Sequence, residues 1–338
     1  MRAARESRPN NPPGRALPAL RVIPIGAQGP EDVAVDDLGR VYTGVADGRI
    51  LRLSVLEDRR SPLVEEMANT GGRPLGLELL PDGRLLACDA ERGLLRIDLK
   101  NGTDAAVEVL VDAVNGSPLR FCSNAAAASD GTVYFTVSSR RFGLQDWLGD
   151  ILEHQGTGQL LRLRADGGVE VLLDGLQFAN GVVLAVDESF VTVAETGAYR
   201  LVRLWLSGPR AGERDILVDG LPGFPDNLSR SADGSIIWIA LAGPRQAALD
   251  LLHRSPPAVR HFAWRLARRL RPQPQDAPRV VGVDMQGRVR HDLGRRRAGY
   301  RMVTSVCEHA GRLILGSLHE EAVALCDLPG GPPRVQSL

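Results

Sequence analysis

Apolar runs recur along this chain in a fixed grammar: a short strand-like run, a tight turn built on Asp-Gly or a similar pair, a second apolar run, then a third rich in Arg and Leu. The first copy spans 32–53 (DVAVDDLGRVYTGVADGRILRL) and the second 75–99 (LGLELLPDGRLLACDAERGLLRIDL). The third, 124–163, carries an insertion through Trp147 and His154, and the fourth spans 180–205. The fifth begins at Asp226, breaks off, and resumes with VVGVDMQGRVRHDL; the sixth covers 304–328. Asp-Gly suits such hairpins because type I′ turns need positive φ at both central positions. Repeats at intervals of roughly 40 to 60 residues, each too small to bury its own face, predict an all-β, six-bladed β-propeller with four-stranded blades. The alternative, an open β-sandwich of similar strand content, lacks that regular period. Three runs are clear in the last copy, so the apolar stretch 19–25 (ALRVIPI) is expected to supply its fourth strand and close the ring.

The fifth copy is interrupted at 242–275 by a different pattern. AALDLLHR and AVRHFAWRLARRLR have helical spacing, separated by the breaker Ser255-Pro256-Pro257. Val259, Phe262, Leu266 and Leu270 share one face, with Arg260, Arg265, Arg268, Arg269 and Arg271 mostly off it. Such a basic amphipathic helix lies on a membrane, clasps a partner, or caps one end of the propeller; the cap reading is favoured because the insertion leaves the blade just after the Asp226 loop. Composition narrows the rest. Lys+Arg and Asp+Glu are both 41, so no charged field calls for nucleic acid or an acidic surface. Four cysteines without metal-ligand spacing, and no apolar signal segment, predict a reduced cytoplasmic protein. The basic, proline-rich start, 1–18, reads as a disordered leader before a domain at 19–338, and no segment is long enough to span a membrane.

The candidate chemistry is oxygen-based. LPGFPDNLSRSADG, 221–234, places Asp226 and Asn227 at the mouth of a strand, and Glu31, Ser123-Asn124 and Asn180 hold the same position in their own copies. Residues just before the innermost strands of a propeller converge on one end of its channel, where carboxylate and amide oxygens suit a hard cation such as calcium. Asn before a strand is also a common turn former; the convergence of several blades is what points to a metal.

The motifs GRPLGL (72–77), VYFTVSS (133–139), FANGV (178–182), VAET (193–196), PGFPDN (222–227) and CEHAGRLILGSL (307–318) resemble the superfamily of six-bladed propellers that contains strictosidine synthase-like proteins, gluconolactonases and paraoxonases. The resemblance covers 19–330 and is nearest to the strictosidine synthase-like branch, which includes the adipocyte plasma membrane-associated proteins. It implies a calcium site at Glu31, Asn180, Asp226 and Asn227. At the third blade Ser123 stands where the lactonase branches have Asn and Asn124 where they have Asp, so either Asn124 enters the site or a hydroxyl replaces it. The position of the catalytic Glu of true strictosidine synthases falls on or near Thr304, which cannot act as acid or base. The paraoxonase His is replaced by Leu75, ahead of Gly76. Among the histidines, His319 and His154 are the expected pocket liners.

Together these imply a calcium-dependent hydrolase of a lactone or other ester of a small apolar molecule, with Asp226 as base, His319 as a second catalytic candidate, and a metal held by Glu31, Asn124, Asn180, Asp226 and Asn227. A metal-free condensation or cyclisation enzyme and a non-catalytic small-molecule-binding propeller are the alternatives, since fold alone does not choose among them.

Overall fold

The computed structural model describes residues 14–56, 62–270 and 273–330. Its strands assemble into six antiparallel blades around a central channel, the six-bladed propeller expected from the repeats. The innermost strands of blades one to six are Val33–Val35, Pro74–Leu79, Cys122–Ala127, Ala179–Leu184, Gly223–Arg230 and Val303–His309. The ring closes as the apolar run at 19–25 foretold: Arg21–Pro24 pairs antiparallel with Ala322–Asp327 as the outer strand of blade six, with Ile23 opposite Val323.

Each blade is buried on both faces, which is why its central strands read as unbroken apolar runs. In Arg84–Asp89, Leu85 and Ala87 pack toward blade one, among Tyr42, Ile50 and Met67, whereas Leu86 and Cys88 pack toward blade three, among Phe135 and Val137. The period-two alternation thus splits one strand between two blade interfaces, and removing Leu85 and Leu86 from water stabilises by about 1.5–3 kcal/mol each.

Part of the stretch expected to be a leader, 1–18, belongs to the propeller. Residues 1–13 lie outside the described residues, but Arg15–Ala16 runs parallel beside Val289–Gly294 as a fifth strand on blade five, and Leu17 is fully buried between blades five and six. The basic and proline-rich composition concealed a single apolar anchor.

Three helices cover one end of the channel: α1 (Trp147–Glu153) in the blade-three insertion, and α2 (Ala247–His253) and α3 (Pro257–Leu270) in the blade-five insertion. Pro257 opens α3, where its missing N–H costs nothing. The cap rests on blade three as well as blade five: Trp264 meets Phe142 edge-on at 5.9 Å, His253 Nε2 lies 2.8 Å from the Ile151 carbonyl, and the Arg260 guanidinium donates to the His154 carbonyl at 3.0 Å. The face that α3 buries is not the one its apolar stripe predicts. Trp264 is 8% exposed, while Val259, Phe262 and Leu266 are 48%, 68% and 54% exposed. A gap beside Gly149, where a Cβ would come within 2.9 Å of the Trp264 ring, accepts the indole and sets the rotation of the helix. No helix among the described residues is long and apolar enough to cross a membrane.

Candidate functional site

The site is built from irregularities in the innermost strands. Pairing between the first two strands slips between Pro74 and Leu77, Cys122 and Ala125, Ala179 and Val182, Pro225 and Leu228, and Val303 and Ser305. Those slips contain Leu75, Ser123, Asn180, Asp226-Asn227 and Thr304. A bulge re-aims side chains that a regular strand would send sideways into a blade interface, and here it turns them toward the channel. Close backbone approach is part of the device. A Cβ on Gly76 would lie 2.6 Å from the Asn124 Cα, and one on Gly181 would lie 2.4 Å from the Leu228 amide nitrogen, so neighbouring strands meet there only because both residues are glycine.

Glu31, Ser123, Asn180 and Asp226 line the floor of a cavity of about 390 Å³ beneath the helical cap. All are at most 6% exposed, as is Asn227 behind them. The Asn227 amide donates to both Glu31 carboxylate oxygens at 3.2 Å. The Asn180 amide donates to Asp226 Oδ1, and the Ser123 hydroxyl donates to Asn180 Oδ1 at 3.0 Å. Ser123 therefore orients Asn180, and Asn180 orients Asp226. The Thr304 hydroxyl, also in the cavity wall, is committed to the Glu31 main-chain carbonyl at 2.6 Å.

Burial pushes the carboxyl groups of Glu31 and Asp226 well above the usual carboxylate range. Mutual repulsion with Asp226 and then Asp32 adds to the effect on Glu31, against which the Arg73 guanidinium and the Asn227 amide pull down. For Asp226 the Asn180 amide opposes burial and the Asp32 charge reinforces it. Two buried carboxylates near enough to repel each other need a proton or a cation to share the site. Asn227 Oδ1 is buried without a hydrogen-bond partner, an orphan acceptor in the same place. Among the described residues no group of three or more His, Cys, Asp or Glu side chains forms a metal site; this cluster has two carboxylates, and its other oxygens are amide and hydroxyl. An all-oxygen donor set of this kind, with an acceptor left unsatisfied, fits a hard cation.

The remaining expectations divide. Asn124 does not join the cluster. It faces a second cavity, at the other end of the channel, together with Asp32, Glu78 and Cys307, because the strand alternates and Ser123 takes the cap side. His319 is absent from the cavity wall; its main-chain carbonyl accepts from Gln28 and the neighbouring Leu318 contributes the lining side chain instead. His154 is not a liner either. It stacks on His253 with ring centroids 3.8 Å apart, and burial, followed by the His253 charge, lowers its pKa to about 4. Phe262 points away from the cavity, whose roof is formed by Leu249, Leu252 and Ala267. Sequence reasoning missed Arg73, buried at 6% exposure and bonded to the Gly29 carbonyl; its place in GRPLGL, beside the second innermost strand, was the available signal.

Above the polar floor the walls are apolar. Phe121 and Phe178 meet edge-on at 5.3 Å, with Leu75, Phe224, Trp147 and Met302 around them. A pocket of this size and lining takes a small apolar molecule with one polar group directed at the floor.

Known proteins bear on this arrangement at two levels. A strictosidine synthase family model matches residues 125–209, and a strictosidine synthase-like N-terminal model matches 12–53. Strictosidine Synthase-Like 10 of Arabidopsis thaliana is 37% identical over 244 residues, 67% of this chain and 64% of that protein. The chain thus spans less than two thirds of the length of that plant relative. The adipocyte plasma membrane-associated protein of Rattus norvegicus is 33% identical over 342 residues, covering 92% of this chain and 86% of that one. Among solved structures, a gluconolactonase from Xanthomonas campestris superposes with a TM-score of 0.63 at 17% identity, covering 95% of this chain and all (100%) of the other. A calcium-binding regucalcin from Agrobacterium tumefaciens gives 0.60 at 15% identity, covering 92% and 93%. These structural likenesses carry the propeller fold, and the sequence relatives carry the lineage: the chain belongs to the strictosidine synthase-like family.

Proposed function

We propose that this protein is a calcium-dependent hydrolase of a lactone or other ester of a small apolar molecule. The observation that carries the reading is the pairing of two buried carboxylates, Glu31 and Asp226, with the amides of Asn180 and Asn227 at the floor of an apolar cavity. The likeness of the fold to a gluconolactonase and to a calcium-binding regucalcin supports it.

Glu31, Asn180, Asp226 and Asn227 would hold the cation, with the Ser123 hydroxyl in place of a further amide. When bound, calcium supplies Lewis-acid polarisation of a carbonyl and stabilises the negative charge that develops on its oxygen. The protein's own groups do the rest. The aromatic walls hold the apolar body of the substrate and direct its carbonyl to the floor. Asp226, aligned by the Asn180 amide, takes the proton of the attacking water as the new C–O bond forms; the ester C–O bond then breaks and the leaving oxygen receives that proton. The cap keeps bulk water away from the polar floor. Amine-aldehyde condensation is disfavoured because the wall position in question is Thr304, whose hydroxyl is already donated to a main-chain carbonyl.

The test combines calcium titration by calorimetry with hydrolysis of phenyl acetate and δ-valerolactone, with and without a chelator. Calcium binding together with chelator-sensitive hydrolysis is expected. Absence of calcium binding, or hydrolysis indifferent to the chelator, overturns the reading.

A further inference from the structure

The stripe Val259, Phe262, Leu266, spaced i, i+3, i+7 along α3, is turned outward and is 48%, 68% and 54% exposed, and Leu251 on α2 is 67% exposed. Among the other described residues, exposed large apolar side chains such as Leu38, Val109, Val186 and Ile216 belong to separate turns and strands, Leu63 and Val64 being the one adjacent pair. Scattered singles of that kind are ordinary, whereas a contiguous helical stripe containing an aromatic ring marks a contact surface. The same segment is strongly basic. PAVRHFAWRLARRL contains Arg260, Arg265, Arg268 and Arg269 and no carboxylate, in a chain whose overall charge is zero. Arg265 and Arg268 are exposed, as is Arg254 in the turn between the helices. The nearby acids are engaged: Asp146 lies 3.5 Å from Arg268, Asp250 pairs with Arg245 at 2.8 Å, and Glu153 is buried against His261 and Arg141.

We propose that the outer face of the α2–α3 cap docks on an anionic lipid surface, inserting Phe262, Leu266 and Val259 at the level of the acyl boundary while the flanking arginines meet phosphates. An apolar stripe bordered by arginine is the pattern of a helix that lies in the membrane interface. Charge separates this occupant from a second copy of the chain, since a two-fold pairing through this face would set the same arginines against each other. The geometry also gives docking a consequence for the cavity. Leu249, Leu252 and Ala267, on the inner sides of the same helices, form its roof, so the docked protein holds that roof against the lipid. The inference rests on exposure and charge and stands apart from the hydrolase reading.

The test is co-sedimentation of the full chain with vesicles of 70:30 phosphatidylcholine:phosphatidylglycerol and of phosphatidylcholine alone. Binding is expected to the anionic vesicles, to be weakened by high salt and by Arg265→Gln/Arg268→Gln, and to fall about tenfold or more in Phe262→Ser/Leu266→Ser. The melting temperature of that double variant should be unchanged because both sites are exposed; if it drops, Phe262→Ser alone, at the most exposed position, replaces it in the comparison. No binding to anionic vesicles, equal binding to neutral ones, or equal binding by the serine variants overturns the proposal. So does sedimentation velocity showing a dimer that the serine variants dissociate without any vesicle binding.

Discussion

The clearest division of labour at the residue scale is between Asp226 and Glu31, which share burial and upward-shifted carboxyl groups but differ in neighbours. Asp226 borders the cavity with its carboxylate oriented by Asn180, whereas Glu31 is bridged by Asn227. Asp226→Asn keeps an oxygen but removes charge and basicity, so calcium affinity weakens and hydrolysis falls by roughly a hundredfold or more, the loss expected of a missing general base. Glu31→Gln weakens affinity yet recovers much of its rate at saturating calcium. Equal recovery of both variants would reduce Asp226 to a ligand. Ser123→Ala tests the chain that aligns them: it removes one buried hydrogen bond, about 1 kcal/mol, so calorimetry should show calcium binding weakened several-fold with little change in rate at saturation. A rate defect that calcium does not restore would give Ser123 a more direct role.

Elements decide which of these side chains meet a ligand. The cap is carried by insertions in two blades, joined through Trp264–Phe142, the His253–Ile151 contact and the stacked His154–His253 rings, and its inner surface supplies apolar roof to the cavity. Its helices lie outside the ladders of the blades, which close without them. Replacing 246–272 by a short glycine-serine linker is therefore expected to leave the propeller folded, with the strand circular-dichroism signal retained, while changing the relative rates across a panel of esters and lactones of different size. Unchanged selectivity, or failure to fold, counts against a lid.

For the whole molecule, ring closure and channel electrostatics set stability. Chains beginning at Gly14, Ala19 and Gly26 should form a graded series. Starting at Ala19 loses the fully buried Leu17, about 2 kcal/mol, and lowers the melting temperature by several degrees. Starting at Gly26 removes the outer strand of blade six and the molecule no longer folds cooperatively. Equal melting of all three would refute closure by the N-terminal strand. At the far end of the channel, burial raises Glu78 from 4.5 to about 7. A carboxyl group raised in the folded state contributes stability that is complete below pH 4.5 and is lost as pH rises through about 7. Glu78→Gln should thus melt with the parent protein at pH 5 and above it at pH 8. A constant difference at both pH values would show that Glu78 titrates normally.

What the sequence determined by itself was whatever depends on local repetition. Strands buried on both faces must be apolar throughout, and their hairpins need a residue at positive φ, as at Gly83, Gly131 and Gly234, so six blades, their order and the closing strand were legible from period and pattern. The Asp before each of those glycines keeps a negative φ, so these turns are not the type I′ expected. The convergence of Glu31, Asn180, Asp226 and Asn227 was legible too, although only Glu31 precedes its innermost strand and the other three lie inside theirs, at the slips in pairing. Orientation was decided by tertiary structure. Whether Ser123 or Asn124 turns to the cap depends on where the pairing slips in blade three, and a shift of one residue exchanges the two ends of the channel. The rotation of α3 followed the slot beside Gly149 and not its own apolar stripe, and Leu17 became an anchor only because blades five and six leave a space for it. Arg73 sits beside Glu31 across a blade boundary, a proximity with no local signature. Periodicity records which surfaces must be buried; against what they are buried is settled only when the blades come together.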